Sequence, residues 1–134
     1  MQIALIIALS LHILSSVFWA GTSFTLARNG GVGGEALFRP QMGAAVIAVL
    51  TGGYLGHLVH AGAFGTAEQI LAVGALAALV AAGIQGAIGG RAIRSLRIGT
   101  ADEASARSRI AMAQRAAAAL LAVTAVCMGA ARYA

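Results

Sequence analysis

Four apolar stretches, each more than twenty residues long, are the feature that most limits what this chain can fold into. They cover about residues 3–27, 40–63, 68–90 and 110–131. With a rise of about 1.5 Å per residue, each forms a helix long enough to cross a hydrocarbon core of about 30 Å. A helix also satisfies its own backbone hydrogen bonds, which lipid cannot do. The sequence therefore predicts an all-α, integral membrane bundle of four transmembrane helices.

The composition favours lipid over water as the solvent. Of the 134 residues, 60% are hydrophobic and 10% are charged, whereas a soluble domain carries about 25% charged residues. The high isoelectric point, about 11.2, does not indicate nucleic acid, because the basic residues lie in loops beside apolar spans. We expect one domain, residues 1–134, with the lipid bilayer as its partner and no nucleic acid.

The arginines predict the orientation of the bundle. Eight of the nine lie in residues 28–39, in residues 91–109 or at Arg115, and only Arg132 lies on the other side. Cytoplasmic loops carry an excess of basic residues. We therefore expect loops 28–39 and 91–109 in the cytoplasm and both termini on the extracytoplasmic side. The expected location is a bacterial inner (cytoplasmic) membrane, crossed several times.

The three histidines are the main candidates for chemistry, because all of them lie inside predicted spans. His12 is in the first span, and His57 and His60 share a face of the second. An ionisable side chain inside a membrane is costly and indicates a functional site. The predicted topology puts all three in the outer half of the bilayer, and His57 matches the depth of His12 better than His60 does.

Two imidazoles on facing helices at one depth are what haem b requires for bis-histidine ligation. Gly52, Gly53 and Gly56 provide space for a flat porphyrin next to His57, and Trp19 shares a face with His12. The first hypothesis is thus a haem b protein for electron transfer or redox chemistry, ligated by His12 with His57 or His60. The alternative is that the histidines are neutral and hydrogen-bonded to backbone or to nearby hydroxyls, those of Ser15, Ser16 and Thr51.

Copper handling is a second hypothesis, since imidazole suits copper and soft sulfur ligands select Cu(I). Cys127 and Met128 lie near the outer end of the fourth span and could join the three histidines as weaker ligands. Both residue types are also ordinary core residues. The third hypothesis is a non-catalytic subunit of a larger membrane complex, in which faces rich in glycine and alanine pack on other membrane subunits or in a homo-oligomer.

The first span resembles the opening helix of CopD-type copper-resistance membrane proteins and of the related HemJ-type protoporphyrinogen oxidases. The residues that carry the resemblance are Leu11-His12-Ile13, Val17, Trp19-Ala20-Gly21, Phe24 and Leu26-Ala27-Arg28, with Leu50-Thr51-Gly52 in the second span. It covers roughly a third of the chain. It implies a four-helix membrane fold and a haem-ligand role for His12.

One departure from that pattern concerns enzymatic activity. These families carry a lysine at the start of the third helix, important in the HemJ type, whereas this chain has Glu68-Gln69-Ile70-Leu71 there and no lysine anywhere. The resemblance therefore does not extend to protoporphyrinogen oxidase activity. A membrane oxidoreductase is compatible with the sequence, but no catalytic residue is indicated.

Overall fold

The computed structural model describes residues 1–62, 64–100 and 102–134, and almost all of them are helical. The elements, in chain order, are α1 (Gln2–Arg28), α2 (Gly34–His60), α3 (Thr66–Ile84), a π-helical turn (Gln85–Gly89), α4 (Gly90–Ile98) and α5 (Glu103–Ala131). α3, the π turn and α4 form one continuous helical run. Four helical segments are long and apolar enough to cross a membrane, as the hydropathy predicts.

Three helix boundaries differ from the predicted ones: the start of α2, the end of the third helical run and the start of α5. α2 begins at Gly34 and not at Pro40, which lies inside the helix. Its proline ring removes one hydrogen bond to the carbonyl of Ala36, and Ala36 is exposed at the end of the bundle, where that carbonyl can be solvated. The predicted end of this helix, at residue 63, lies outside the described residues.

The second predicted cytoplasmic loop, residues 91–109, is largely helical. α4 continues the third span to Ile98, and α5 begins at Glu103 instead of Ile110. Asp102 caps α5, because its carboxylate accepts a hydrogen bond from the Ser105 backbone N–H at 3.3 Å. Only four residues, 99–102, separate the two helices, and Gly99 ends α4 with a left-handed φ of 70°.

The helices are antiparallel neighbours. α5 packs extensively on α3 and also on α1, α1 packs on α2, and α2 and α3 contact each other less. One end of the bundle holds the α1–α2 loop, α4 and the α4–α5 turn, and we call it the arginine end. The opposite end, which holds both termini and the α2–α3 turn, is the terminal end.

Small residues allow the helices to approach closely. The main buried cluster contains Trp19 and Leu121 among alanines: Ala44, Ala45, Ala48, Ala78, Ala81 and Ala117. At the α3–α5 contact, a Cβ added to Gly74 would lie 2.9 Å from the Cβ of Cys127. Interfaces of this kind gain stability from close van der Waals packing rather than from large apolar side chains.

A buried polar cluster joins all four spans near the middle of the bundle. We call it the amide network. Its members are Trp19, Thr22 and Ser23 of α1, Gln41 of α2, Gln85 of the π turn and Gln114 of α5. A lone glutamine in the apolar third span predicts an interhelical hydrogen bond, and Gln85 confirms it by bonding to both α1 and α5.

The hydrogen bonds of the amide network are nearly complete. The Trp19 indole N–H donates to Gln85 Oε1 at 2.6 Å, and Gln85 Nε2 donates to Ser23 Oγ at 2.7 Å and to Gln114 Oε1 at 2.9 Å. Gln114 Nε2 in turn donates to Gln41 Oε1 at 2.9 Å. The three glutamine side chains are no more than 2% exposed. If one of them lost its hydrogen-bond partner, water could not reach the polar group to replace it.

We expect Trp19→Phe to lower the free energy of unfolding by about 1 kcal/mol, since interhelical hydrogen bonds in membrane proteins average about 0.6 and reach about 1.7 kcal/mol. The change leaves the buried Gln85 oxygen without its indole donor. Thermal unfolding in detergent measures it. Thr25→Val removes only an exposed hydroxyl bonded to Gly21 of its own helix and should have a smaller effect. Equal shifts for the two variants would contradict the assigned role of the indole.

Candidate functional site

His12 is held by the backbone of α2. Its Nδ1 donates a hydrogen bond to the Ala48 carbonyl at 2.9 Å, and Thr51 Oγ1 lies 3.2 Å from the same nitrogen. A carbonyl oxygen can only accept, so Nδ1 carries the proton. In the neutral ring the other nitrogen, Nε2, therefore keeps its lone pair. The sequence named the backbone and Thr51 as possible partners of the histidines, and for His12 both are observed.

Gly52 makes room for the imidazole of His12. A Cβ added at this glycine would lie 2.9 Å from His12 Cε1 and 3.4 Å from Nδ1. Any larger residue would push the ring away from the Ala48 carbonyl. The ring is half-buried, so it is oriented by α2 without being sealed inside the bundle. Gly52 was noted in the sequence only as one of several glycines, because spacing along one helix does not show which glycine faces another helix.

His57 does not face His12. It follows Ala48 by nine residues, which corresponds to about 180° around the α2 axis at about 100° per residue. It also lies five residues beyond Gly52, about 7.5 Å further toward the terminal end. Its side chain is exposed on the outside of the bundle. The expected pairing of these two imidazoles on facing helices is therefore not present in this arrangement.

His60 is engaged with α3. Its Nδ1 lies 2.7 Å from Glu68 Oε1, and the other carboxylate oxygen of Glu68 accepts from the Gly65 backbone N–H at 2.8 Å. The pair ties the C-terminal end of α2 to the first turn of α3, where the two helices otherwise contact little. This role was not anticipated, because the sequence could not show that the two side chains meet across the α2–α3 turn.

The other predicted cofactor-binding residues lie in different surroundings. A Cβ added at Gly53 or Gly56 would have no other atom within 4 Å, so both border open space beside α2. Trp19 is only 2% exposed and uses its indole N–H within the amide network. It lies about 10.5 Å along α1 from His12, by the rise of a helix. Trp19 is thus part of the packing core.

The sulfur residues do not join the histidines. Cys127 is half-buried at the α3–α5 contact, against Gly74, and Met128 is exposed. Among the residues that the structure describes, no three His, Cys, Asp or Glu side chains form a group that could hold a metal ion. The expected copper cluster of His12, His57, His60, Cys127 and Met128 has no support in this geometry.

Within the described residues, His12 Nδ1 is held by α2 and Nε2 has no hydrogen-bond partner, so Nε2 could serve as a ligand atom. Histidine ligands of metals commonly donate their other ring N–H to a backbone carbonyl, which fixes the tautomer and makes the ligand more basic. No protein-family model, curated protein or solved structure matches this chain. The resemblance to the CopD and HemJ types therefore stays a prediction, and the chemistry of the site rests on its own contacts.

We expect Gly52→Ala to lower the free energy of unfolding by about 1–3 kcal/mol, the usual cost of inserting a methyl group into a packed contact. Gly53→Ala is the matched control, because open space surrounds that position. The same change at Gly52 should cost much less when His12 is already alanine, since the clash is with the imidazole. Thermal unfolding of the four variants measures this coupling. An additive result would contradict the contact.

Proposed function

We propose that this chain crosses a bacterial inner membrane four times and binds haem b through Nε2 of His12, for electron transfer or redox chemistry. The observation that carries the haem proposal is the hydrogen bond from His12 Nδ1 to the Ala48 carbonyl. It leaves the opposite nitrogen available as a ligand in a half-buried position.

Membrane insertion is supported by the surface of the bundle. Large apolar side chains on several helices are more than two-thirds exposed, including those of Ile3, Leu14, Leu50 and Val126. Water would disfavour such a surface, whereas lipid tails are its natural surroundings. The separation of eight arginines from Arg132 at opposite ends supports the arginine end in the cytoplasm and both termini outside.

The residues around His12 fit a histidine that would hold a haem. The imidazole has a fixed tautomer, Gly52 lets it sit against α2, and no charged group competes for it among its hydrogen-bond partners. When bound, haem supplies a one-electron redox centre. In this proposal His12 binds the iron, and the Ala48 carbonyl holds the ring in place and increases its basicity.

A single histidine ligand follows from the geometry of α2. His57 points away from His12, and His60 bonds to Glu68. We therefore propose that His12 would be the one histidine that holds the haem, in place of the bis-histidine ligation that the sequence suggested. This is a specific spectroscopic expectation, because haem held by one histidine and haem held by two differ in their visible spectra.

Expression with haem supplied should yield protein with a Soret band and a visible spectrum unlike that of bis-histidine haem. His12→Ala should abolish haem binding, and His57→Ala should retain it at the wild-type level with an unchanged spectrum. Haem content per protein by pyridine haemochrome measures both. Full haem occupancy in His12→Ala, or a bis-histidine spectrum lost in His57→Ala, would overturn the ligand assignment.

Elemental analysis and co-purification with the same protein distinguish the other two hypotheses. Copper found by elemental analysis in the absence of haem, and lost in His12→Ala, would favour a CopD-like copper-handling protein. Absence of both haem and copper, together with stoichiometric co-purifying membrane proteins, would favour a non-catalytic accessory subunit. The missing lysine at the start of α3 makes protoporphyrinogen oxidation a poor candidate for the reaction.

A further inference from the structure

Arg115 lies on α5 at an unusual depth for a charged side chain. It is thirteen residues into a helix that starts at Glu103, and sixteen residues, or about 24 Å, separate it from the end of the helix at Ala131. Since a hydrocarbon core is about 30 Å thick, a core that begins at Ala131 would extend about 6 Å beyond Arg115, so Arg115 lies just inside its cytoplasmic edge when α5 spans a bilayer. Exposed Met112 and Ala119 flank it along the same helix.

Within the described residues, the side chain of Arg115 makes a single hydrogen bond. Its Nε donates to the Ala27 carbonyl at the end of α1, at 3.3 Å. Among the residues that the structure describes, the only arginine in an ion pair is Arg107, which holds Glu35 and approaches Glu103. The terminal N–H groups of Arg115 therefore have no carboxylate partner in the described part of the chain.

Arg28 lies beside this position. It directly follows Ala27, the residue whose carbonyl Arg115 contacts, and its side chain is exposed. Phe24, one turn deeper on the same face of α1, is 55% exposed. Because Arg115 reaches the Ala27 carbonyl and Arg28 is the next residue, the backbones of the two helices carry these arginines at similar depths, and exposed Phe24 continues from Arg28 toward the predicted membrane.

We propose that Arg28 and Arg115 together bind the phosphate of an anionic phospholipid such as phosphatidylglycerol. A guanidinium at the edge of a hydrocarbon core is costly without a counter-anion, and the described carboxylates do not supply one. Lipid phosphates lie just outside the core, where a long arginine side chain can reach them, and guanidinium groups bind them through two parallel hydrogen bonds. The exposed surface at Phe24 then accommodates the acyl chains of the same lipid.

The lipid would stabilise the contact between α1 and α5. Arg115 already joins these helices through the Ala27 carbonyl, and a phosphate bound by both arginines adds a second link. Two guanidinium groups favour a lipid with a net negative charge over a zwitterionic one, in which an ammonium group offsets the phosphate. This inference requires membrane insertion but does not depend on haem binding.

Binding of defined lipids to the detergent-purified chain tests the proposal by native mass spectrometry and thermal unfolding. Phosphatidylglycerol should bind with at least tenfold higher affinity than phosphatidylcholine and should raise the melting temperature. Arg28→Gln and Arg115→Gln should each reduce the affinity about tenfold. Arg28→Gln is the safer variant, because Arg28 makes no side-chain hydrogen bond in the described structure.

Two arginines serve as matched controls. Arg109→Gln removes an exposed charge at the same end, further from the membrane, and Arg132→Gln removes one at the terminal end; both should bind phosphatidylglycerol like the wild type. An equal loss in Arg109→Gln would show attraction to general positive charge and overturn the site. Unchanged affinity in folded Arg28→Gln, or equal stabilisation by inorganic phosphate, would overturn it as well.

Discussion

The hydrogen bonds of the amide network are the interaction on which the rest of this bundle depends. Helices surrounded by lipid gain no hydrophobic energy from contacting one another, because lipid tails are as apolar as their side chains. The alanine-rich interfaces permit close approach but distinguish weakly between neighbouring registers. Directional bonds among Gln41, Gln85 and Gln114 distinguish them strongly, since each buried amide must find its partners.

The register fixed by this network also determines where His12 lies. Trp19 and Ser23 enter the network from α1, and Gln41 enters it from α2. Two turns further along α1, the same register brings His12 opposite the Ala48 carbonyl and Gly52. A polar cluster remote from the imidazole thus positions the proposed ligand.

Hydropathy was sufficient to predict four helices, because each span must be long and apolar whatever its neighbours are. Helix ends were less predictable: Pro40 resembled a first-turn proline, and charged residues before Ile110 resembled a loop, although Asp102 caps a helix there. Gln85 was recognised because it stands alone in an apolar run. Gln41 and Gln114 were missed, since each adjoins a residue, Pro40 or Arg115, that is typical of a helix end.

The arrangement of the histidines could not be predicted, because spacing along α2 gives relative angles but not the rotation of the helix against α1. His57 and His60 share a face by spacing, yet neither belongs to the face that holds Gly52. The free-energy cost of burial differs between the two kinds of basic side chain in the chain, the imidazole of histidine and the guanidinium of arginine. A neutral imidazole bonded to a carbonyl can remain deep in a span, as His12 does, whereas a guanidinium keeps its charge and must lie where an anion or water can reach it. The same rule therefore underlies both proposals, a ligand histidine at position 12 and an anionic lipid at Arg115.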